Sequence, residues 1–353
     1  MEILYGDDAE LNASELAHHF AEAEAVLGAE KVMYYSVVAG ERALAATGWE
    51  EAERHFRQAE SSSDGQPESE LTARMFRGLG VILTSYQEPT VRQRGWDLLV
   101  RAFNLYVLLE NIEEAVAVGE TPAAFHGLRG TVELTGKALE LLEPGSLRAG
   151  YLLARHSIAF RDELGDVEED IRCLEKAAEI ARAHGDKRLE GLVMLSYGQH
   201  FGATGDRQAS IDHSRRADAL GREVDDRSIV VRAVMQVLRS KKSSYDLDGV
   251  PELLRRHREI AEESRAPTTL TFSDQAEFGF RRDRGEWERA SAVAANELSR
   301  AGARIVNEYF TLAVESHLAE IHENDERLNA VKVEVGRFPQ EALMVAITSW
   351  VAA

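Results

Sequence analysis

"LGDVEEDIRCLEKAAEIARAHGD", residues 164–186, returns in outline as "TGDRQASIDHSRRADALGREVDD", residues 204–226, so that Gly165-Asp166 becomes Gly205-Asp206 forty residues on. Tyr245-Asp246, Gly285-Glu286 and Asp325-Glu326 hold the same phase. Each pair falls between two amphipathic segments, where a tight turn favours Gly, Asp or Asn. Before the turn, Ile158, Gly198, Leu238, Phe278 and Leu318 keep the register; after it, Ile180, Leu220 and Ile260 do. Register held over five units predicts a stack of helical hairpins, since no hairpin buries its apolar face alone and its neighbours must cover it.

The remainder of the chain reads the same way. Apolar residues recur at three- and four-residue spacing, with no stretch of strict alternation, which predicts helix throughout. Pro67, Pro89, Pro122, Pro144, Pro251, Pro267 and Pro339 all fall at gaps or first turns of the helices so drawn, where proline is tolerated. Three regions follow. Residues 1–62 form a helical lead-in and a first hairpin, and "SSSDGQPES" (61–69) is a linker-like loop. Residues 68–143 form irregular helical repeats, with "VRQRGWDLLVRAFNLYVLLEN" as one long helix. Residues 144–353 form the regular array.

Composition bounds the function. At 353 residues the chain exceeds one ordinary core, so several domains or a repeat array are expected. A net charge of −20 argues against tracking nucleic-acid phosphates and against docking on anionic lipid. The single cysteine, Cys173, excludes an internal disulfide framework or a thiolate metal cluster. The start, "MEILYGDDAELNASELAHHF", has no secretory-signal pattern, and no apolar run is long enough to span a membrane. A cytoplasmic protein is expected.

The hairpins resemble the tetratricopeptide family. The best match is "AGERALAATGWEEAERHFRQA", residues 39–59, in which Gly40 stands at the small first-helix position and Ala52, Phe56 and Ala59 at the second-helix positions. Tyr197, Gly198, Phe201 and Ala217 give a second match, and Trp287, Ala290 and Ala294 a third. The period exceeds the family's usual thirty-four or so, and Asp170 and Ser210 stand where the family favours Ala. Longer units of this kind resemble the sensor arrays of large bacterial regulatory ATPases of the STAND type, the group that includes the maltose-regulon activator. Residues 15–56 resemble the start of such an array, just after the ATPase module. The resemblance implies a right-handed superhelix of about seven or eight hairpin layers, with the first helix of each layer lining the concave surface.

No enzyme chemistry is legible. Gly130 to Gly136-Lys137, "GTVELTGKAL", is the nearest thing to a phosphate loop. Five residues separate its glycines instead of four, and Ala138 replaces the magnesium-binding hydroxyl. No ATP binding is expected, nor any cofactor. His18-His19 are adjacent and His317 and His322 five apart, so neither pair shares a metal-holding helix face; His18 with Glu22 is only two ligands. Cys173 reads as an inert thiol, and Trp49 and Trp287, opening equivalent second helices, as core wedges. The basic runs "RRHR" (255–258) and "RSKK" (239–242) have acidic neighbours and read as solvated helix faces.

Carrying the concave face over from the family selects Arg155, Gln199, Arg232, Met235, Arg239, Gln275 and Arg282. Guanidinium groups there would hold an acidic peptide or a carboxylate-bearing effector, unless they pair with carboxylates of the next layer. At the other end of the chain, "EALMVAITSWVAA" sets Leu343, Ile347 and Trp350 on one stripe with Met344 and Val351. That stripe either folds back on the layer beginning near Asp325 or, as the resemblance to a segment of larger regulators favours, docks a further module or a second copy. The resemblance implies a non-catalytic scaffold, the sensor or interaction region of a bacterial signalling ATPase or transcriptional regulator. A free-standing adaptor that assembles protein complexes is the alternative, and a helical-repeat enzyme with an unseen site a third.

Overall fold

The computed structural model describes residues 5–24, 28–46, 48–86, 89–121, 128–244, 246–264 and 267–301, and among them it has fifteen α-helices and no strand. The helices are joined as successive hairpins, the all-α, tetratricopeptide-like class read from the sequence. Contacts divide the chain into two compact units, one of Met1–Tyr86 with Thr90–Glu143 and one of Pro144–Ala353 with the short stretch Gln87–Pro89.

The first unit opens with α1 (Ala13–Glu22), whose Leu16 and Ala17 bury against Tyr35, Val38 and Ala39 of α2 (Ala29–Ala45). Helix α3 (Trp49–Ser62) returns against α2 and presents Ala52, Phe56 and Ala59, all fully buried. Phe56 explains the family-like glycine: a Cβ on Gly40 would lie 2.9 Å from its ring. On its other side, a Cβ on Gly78 of α4 (Glu70–Thr84) would lie 2.1 Å from it. One aromatic wedge thus locks three helices and excludes any side chain at two positions. Trp49 does not share this role. It is 38% exposed. The unit continues through α5 (Pro89–Leu108), α6 (Ile112–Gly119) and α7 (Thr131–Glu140), with Trp96 and Tyr106 of α5 among its largest buried side chains.

The second unit is the regular array. Its first hairpin pairs α8 (Leu147–Ala159), extended by a π turn at Phe160–Leu164, with α9 (Val167–His184). The next pairs α10 (Lys187–Thr204) with α11 (Arg207–Glu223), then α12 (Arg227–Ser243) with α13 (Val250–Ser264), and α14 (Pro267–Asp283) with α15 (Trp287–Ala301). The quoted repeat sets its punctuation. Gly165, Gly185 and Gly205 end helices at φ of 67°, 64° and 93°, the left-handed region that glycine enters without strain. The following Asp166, Asp186 and Asp206 cap the next helix by accepting from the backbone N–H of Glu169, Leu189 and Ala209. Asp225, at φ 52°, and the capping Asp226 complete the series. The punctuation recurs at every helix boundary from 165 to 226, twice as often as the forty-residue step reveals.

Register extends into the interior. Asp170, on α9, meets His200, thirty residues on, with Oδ2 2.8 Å from Nδ1. Forty residues later Ser210 meets Ser240, Oγ to Oγ at 2.8 Å. Forty beyond that, Val250 and Phe280 share one apolar cluster with Val234, Leu238 and Leu254. Each pair joins the second helix of one hairpin to the first helix of the next. Of the downstream register positions, Ile180 is buried, whereas Leu220 and Ile260 are half-buried. All three stand near the ends of their helices, at the rim of the layer contact. Leu318, Asp325-Glu326 and the terminal stripe with Leu343, Ile347 and Trp350 lie outside the described residues.

Candidate functional site

In the second unit the first helices pack side by side, α8 on α10, α10 on α12 and α12 on α14, whereas the second helices of successive hairpins do not pack on one another comparably. Closer packing along one edge curves a stack towards that edge, so the first helices line its inner face.

Helix α12 presents the most informative stripe on that face. Ile229, Val230, Ala233, Val234, Gln236 and Val237 are buried. Arg232 and Arg239 are exposed, with half-buried Met235 between them. The 3- and 4-residue steps put all three on one helical face. Surrounding protein pulls the pKa of both guanidiniums down from the usual range; Asp226 opposes this at Arg232 and Asp162 at Arg239. Side chains that are open to solvent and yet hemmed in by protein belong to a concave surface. Neither arginine has a carboxylate in ion-pair contact among the described residues.

Many other cations of the array do have such partners. Arg256 pairs with Asp218, Arg258 with Asp274 and Glu277, and Arg255 with Glu252 and Glu259. Lys241 pairs with Asp246 and Lys242 with Asp283. The "RRHR" run is therefore neutralised as expected, and in "RSKK" only the lysines are. Arg282, chosen with the groove set, binds the adjacent Asp283 at 2.8 Å. Arg155 is half-buried on α8, and the side chain of Gln275 lies outside the described residues.

Gln199 adds an acceptor. It follows Leu195 by one turn on α10, and Leu195 packs with Ile229 and Ala233 of α12. Gln199 thus stands on the flank of α10 that faces α12. Its Oε1 is buried without a hydrogen-bond partner among the described residues. Next to the stripe is a buried polar group that sequence reasoning passed over. His257 of α13 is pushed down to about 4 by burial, helped by the charges of Arg258 and Arg239. Its place one turn beyond buried Leu254 was the available signal.

The π turn at Phe160–Leu164 was not foreseen either. It sets Arg161 to donate to Asp162 at 3.0 Å and to Asp170 at 3.2 Å, so the fully buried carboxylate of Asp170 is shared by Arg161 and His200. Asp170 and Ser210, polar where the family favours Ala, were the visible trace of this interior.

Arrangements resembling enzyme machinery fail on geometry. Ser14 Oγ lies 3.0 Å from His55 Nε2, but Glu51 approaches that same nitrogen at 3.8 Å, and buried Nδ1 has no hydrogen-bond partner among the described residues. A relay needs the carboxylate on the opposite ring nitrogen. Gly130 caps α7 at φ 86°, and Lys137 donates to Glu133 at 2.6 Å within the same helix. The cavity beside them, of about 220 Å³ and lined by Asp97, Phe103, Asn104, Arg129 and Leu134, is smaller than most small-molecule sites. Burial pushes the Cys173 thiol up to about 11, far from a reactive thiolate. No metal-holding cluster of three or more His, Cys, Asp or Glu, and no helix long and apolar enough to cross a membrane, occurs among the described residues.

No protein-family model matches the chain, and no curated protein matches it in sequence. Among solved structures, a signal transduction ATPase with numerous domains (STAND) that carries a tetratricopeptide repeat sensor, from Pyrococcus horikoshii, is similar at a TM-score of 0.45 and 12% identity. That match covers 98% of this chain, which spans about half (49%) of the ATPase. The apo form of RapI is similar at a TM-score of 0.48 and 14% identity, over 94% of this chain and 95% of RapI. A Rap protein complexed with competence and sporulation factor gives 0.39 and 15%, over 85% and 79%. At these values the case for function rests on the chain's own residues.

Proposed function

We propose that the chain is a non-catalytic scaffold that binds a protein or peptide along the inner face of its second unit, in the cytoplasm. The observation that carries this is the α12 stripe: two arginines without ion-pair partners among the described residues, flanking Met235 on a concave surface. Isolated cations on so acidic a body are poised for an external ligand. Met235 offers an adaptable apolar contact between them. The regulator setting, a sensor or interaction segment of a bacterial signalling ATPase or transcriptional regulator, is supported by the resemblance of residues 15–56 to the start of such an array.

The test is selection of random peptides displayed against the immobilised chain, followed by hydrogen exchange on the complex with the recovered binders. Recovered binders should slow exchange in α10 and α12. Failure to recover any binder, or protection confined to the first unit, would overturn the proposal.

A further inference from the structure

We infer that the inner face of the second unit recognises an acidic segment in polyproline-type extension, lying along α12 with carboxylates three residues apart. The inference rests on the groove reading above and names the chemistry of its ligand. Arg232 and Arg239 are seven residues apart on one helix, about 10.5 Å along its axis. A ligand that engages both must therefore run along α12. In a β-extended peptide, residues three apart point to opposite sides. In a polyproline-type helix, with three residues per turn and a rise of about 3.1 Å, they share a side and stand about 9.3 Å apart. That spacing is close to the rise of about 10.5 Å between the two arginine positions along α12.

The other features of the face agree. Met235, between the arginines, faces the residues between the two carboxylates. The surrounding chain carries 61 acidic side chains against 41 Lys and Arg. An acidic ligand is therefore favoured where cations have no ion-pair contact, and the acidic remainder disfavours it elsewhere. Carboxylates suit the site because each can take a forked pair of bonds from a guanidinium.

The experiment uses a fluorescein-labelled peptide of four Glu-Pro-Ala repeats, which places Glu at every third residue, and its Gln-Pro-Ala counterpart. Anisotropy titration of the whole chain should show saturable binding of the Glu peptide, weakened by added salt, with the Gln peptide at least tenfold weaker. Arg232→Gln and Arg239→Gln should each weaken the Glu peptide about tenfold or more. Both side chains are exposed, and unchanged thermal melts will show that the variants fold. Arg232→Glu with Arg239→Glu should transfer preference to a Lys-Pro-Ala peptide. Equal binding of the Glu and Gln peptides, parent-like affinity in the variants, or no binding of the Glu peptide would each overturn the acidic-segment inference. The random-peptide selection decides the groove reading separately: non-acidic binders protected at α12 leave that reading standing without this inference.

Discussion

The joint between α9 and α10 and the joint between α13 and α14 occupy the same place in the repeat and are built from opposite chemistry. At the first, Asp170 is held by His200 and Arg161; at the second, Val250 packs with Phe280. Between them in the series, the Ser210–Ser240 pair is polar but neutral, and Ser210 also donates to the carbonyl of Gly198 at 2.6 Å. One backbone geometry therefore tolerates a charged, a neutral polar and an apolar contact. What must be conserved is the pairing of partners, because a buried polar group is acceptable only when its partner comes with it.

This contrast sets the order of expected effects. Asp170→Leu strands two buried donors, His200 Nδ1 and Arg161 Nη1, and should destabilise the chain by about 3–5 kcal/mol; urea unfolding reads the loss directly. A parent-like midpoint would show that the polar joint contributes nothing. Phe280→Ala at the apolar joint should cost about 3 kcal/mol through the cavity it leaves. A loss below about 1 kcal/mol would mean that the surrounding cluster collapses to fill it.

Acidification separates the joints further. His257 lies on the same face of α13 as Val250 and Leu254 and is pushed down to about 4. The unfolded chain takes up a proton near the ordinary histidine pKa of about 6.5, whereas the folded one does so only lower, so stability falls as pH drops from about 6.5 to 4. The contribution is bounded at roughly 3 kcal/mol by that interval. His257→Leu should flatten the pH dependence of the urea midpoint in that window. An unchanged slope would remove His257 from the account.

The sequence disclosed the hairpins because turn chemistry and helical periodicity are local. Gly165-Asp166 and Gly205-Asp206 carry their own reason for ending one helix and capping the next. The "HGD" that closes the opening stretch marked the intervening boundary as well, but a search at forty-residue spacing passes over it. The polar joints were half legible: Asp170 and Ser210 stood out as polar residues at small-residue positions, while His200 and Ser240 become their partners only through packing between layers. On the candidate face, the choice of first-helix positions gathered Arg232, Met235 and Arg239 on one stripe. It could not separate these arginines from Arg282, since pairing with Asp283 depends on side-chain placement that spacing does not encode. Trp49 is 38% exposed, whereas Trp287, at the same first position of α15, packs on Phe278 and Ala290.

The central claim is that the joints are equivalent positions of one repeat, and exchange tests it most directly. Asp170→Val together with His200→Phe gives the first joint the residues of the third and leaves Arg161 its bond to Asp162. Arg161 Nη1 still loses its carboxylate, so the account predicts a double variant about 1–3 kcal/mol below the parent by urea unfolding, the cost of one stranded donor. It also predicts that His200→Phe rescues part of the stability lost in Asp170→Val alone. A double variant as unstable as the sum of its single changes would contradict the equivalence and show that each joint is shaped for its own pair.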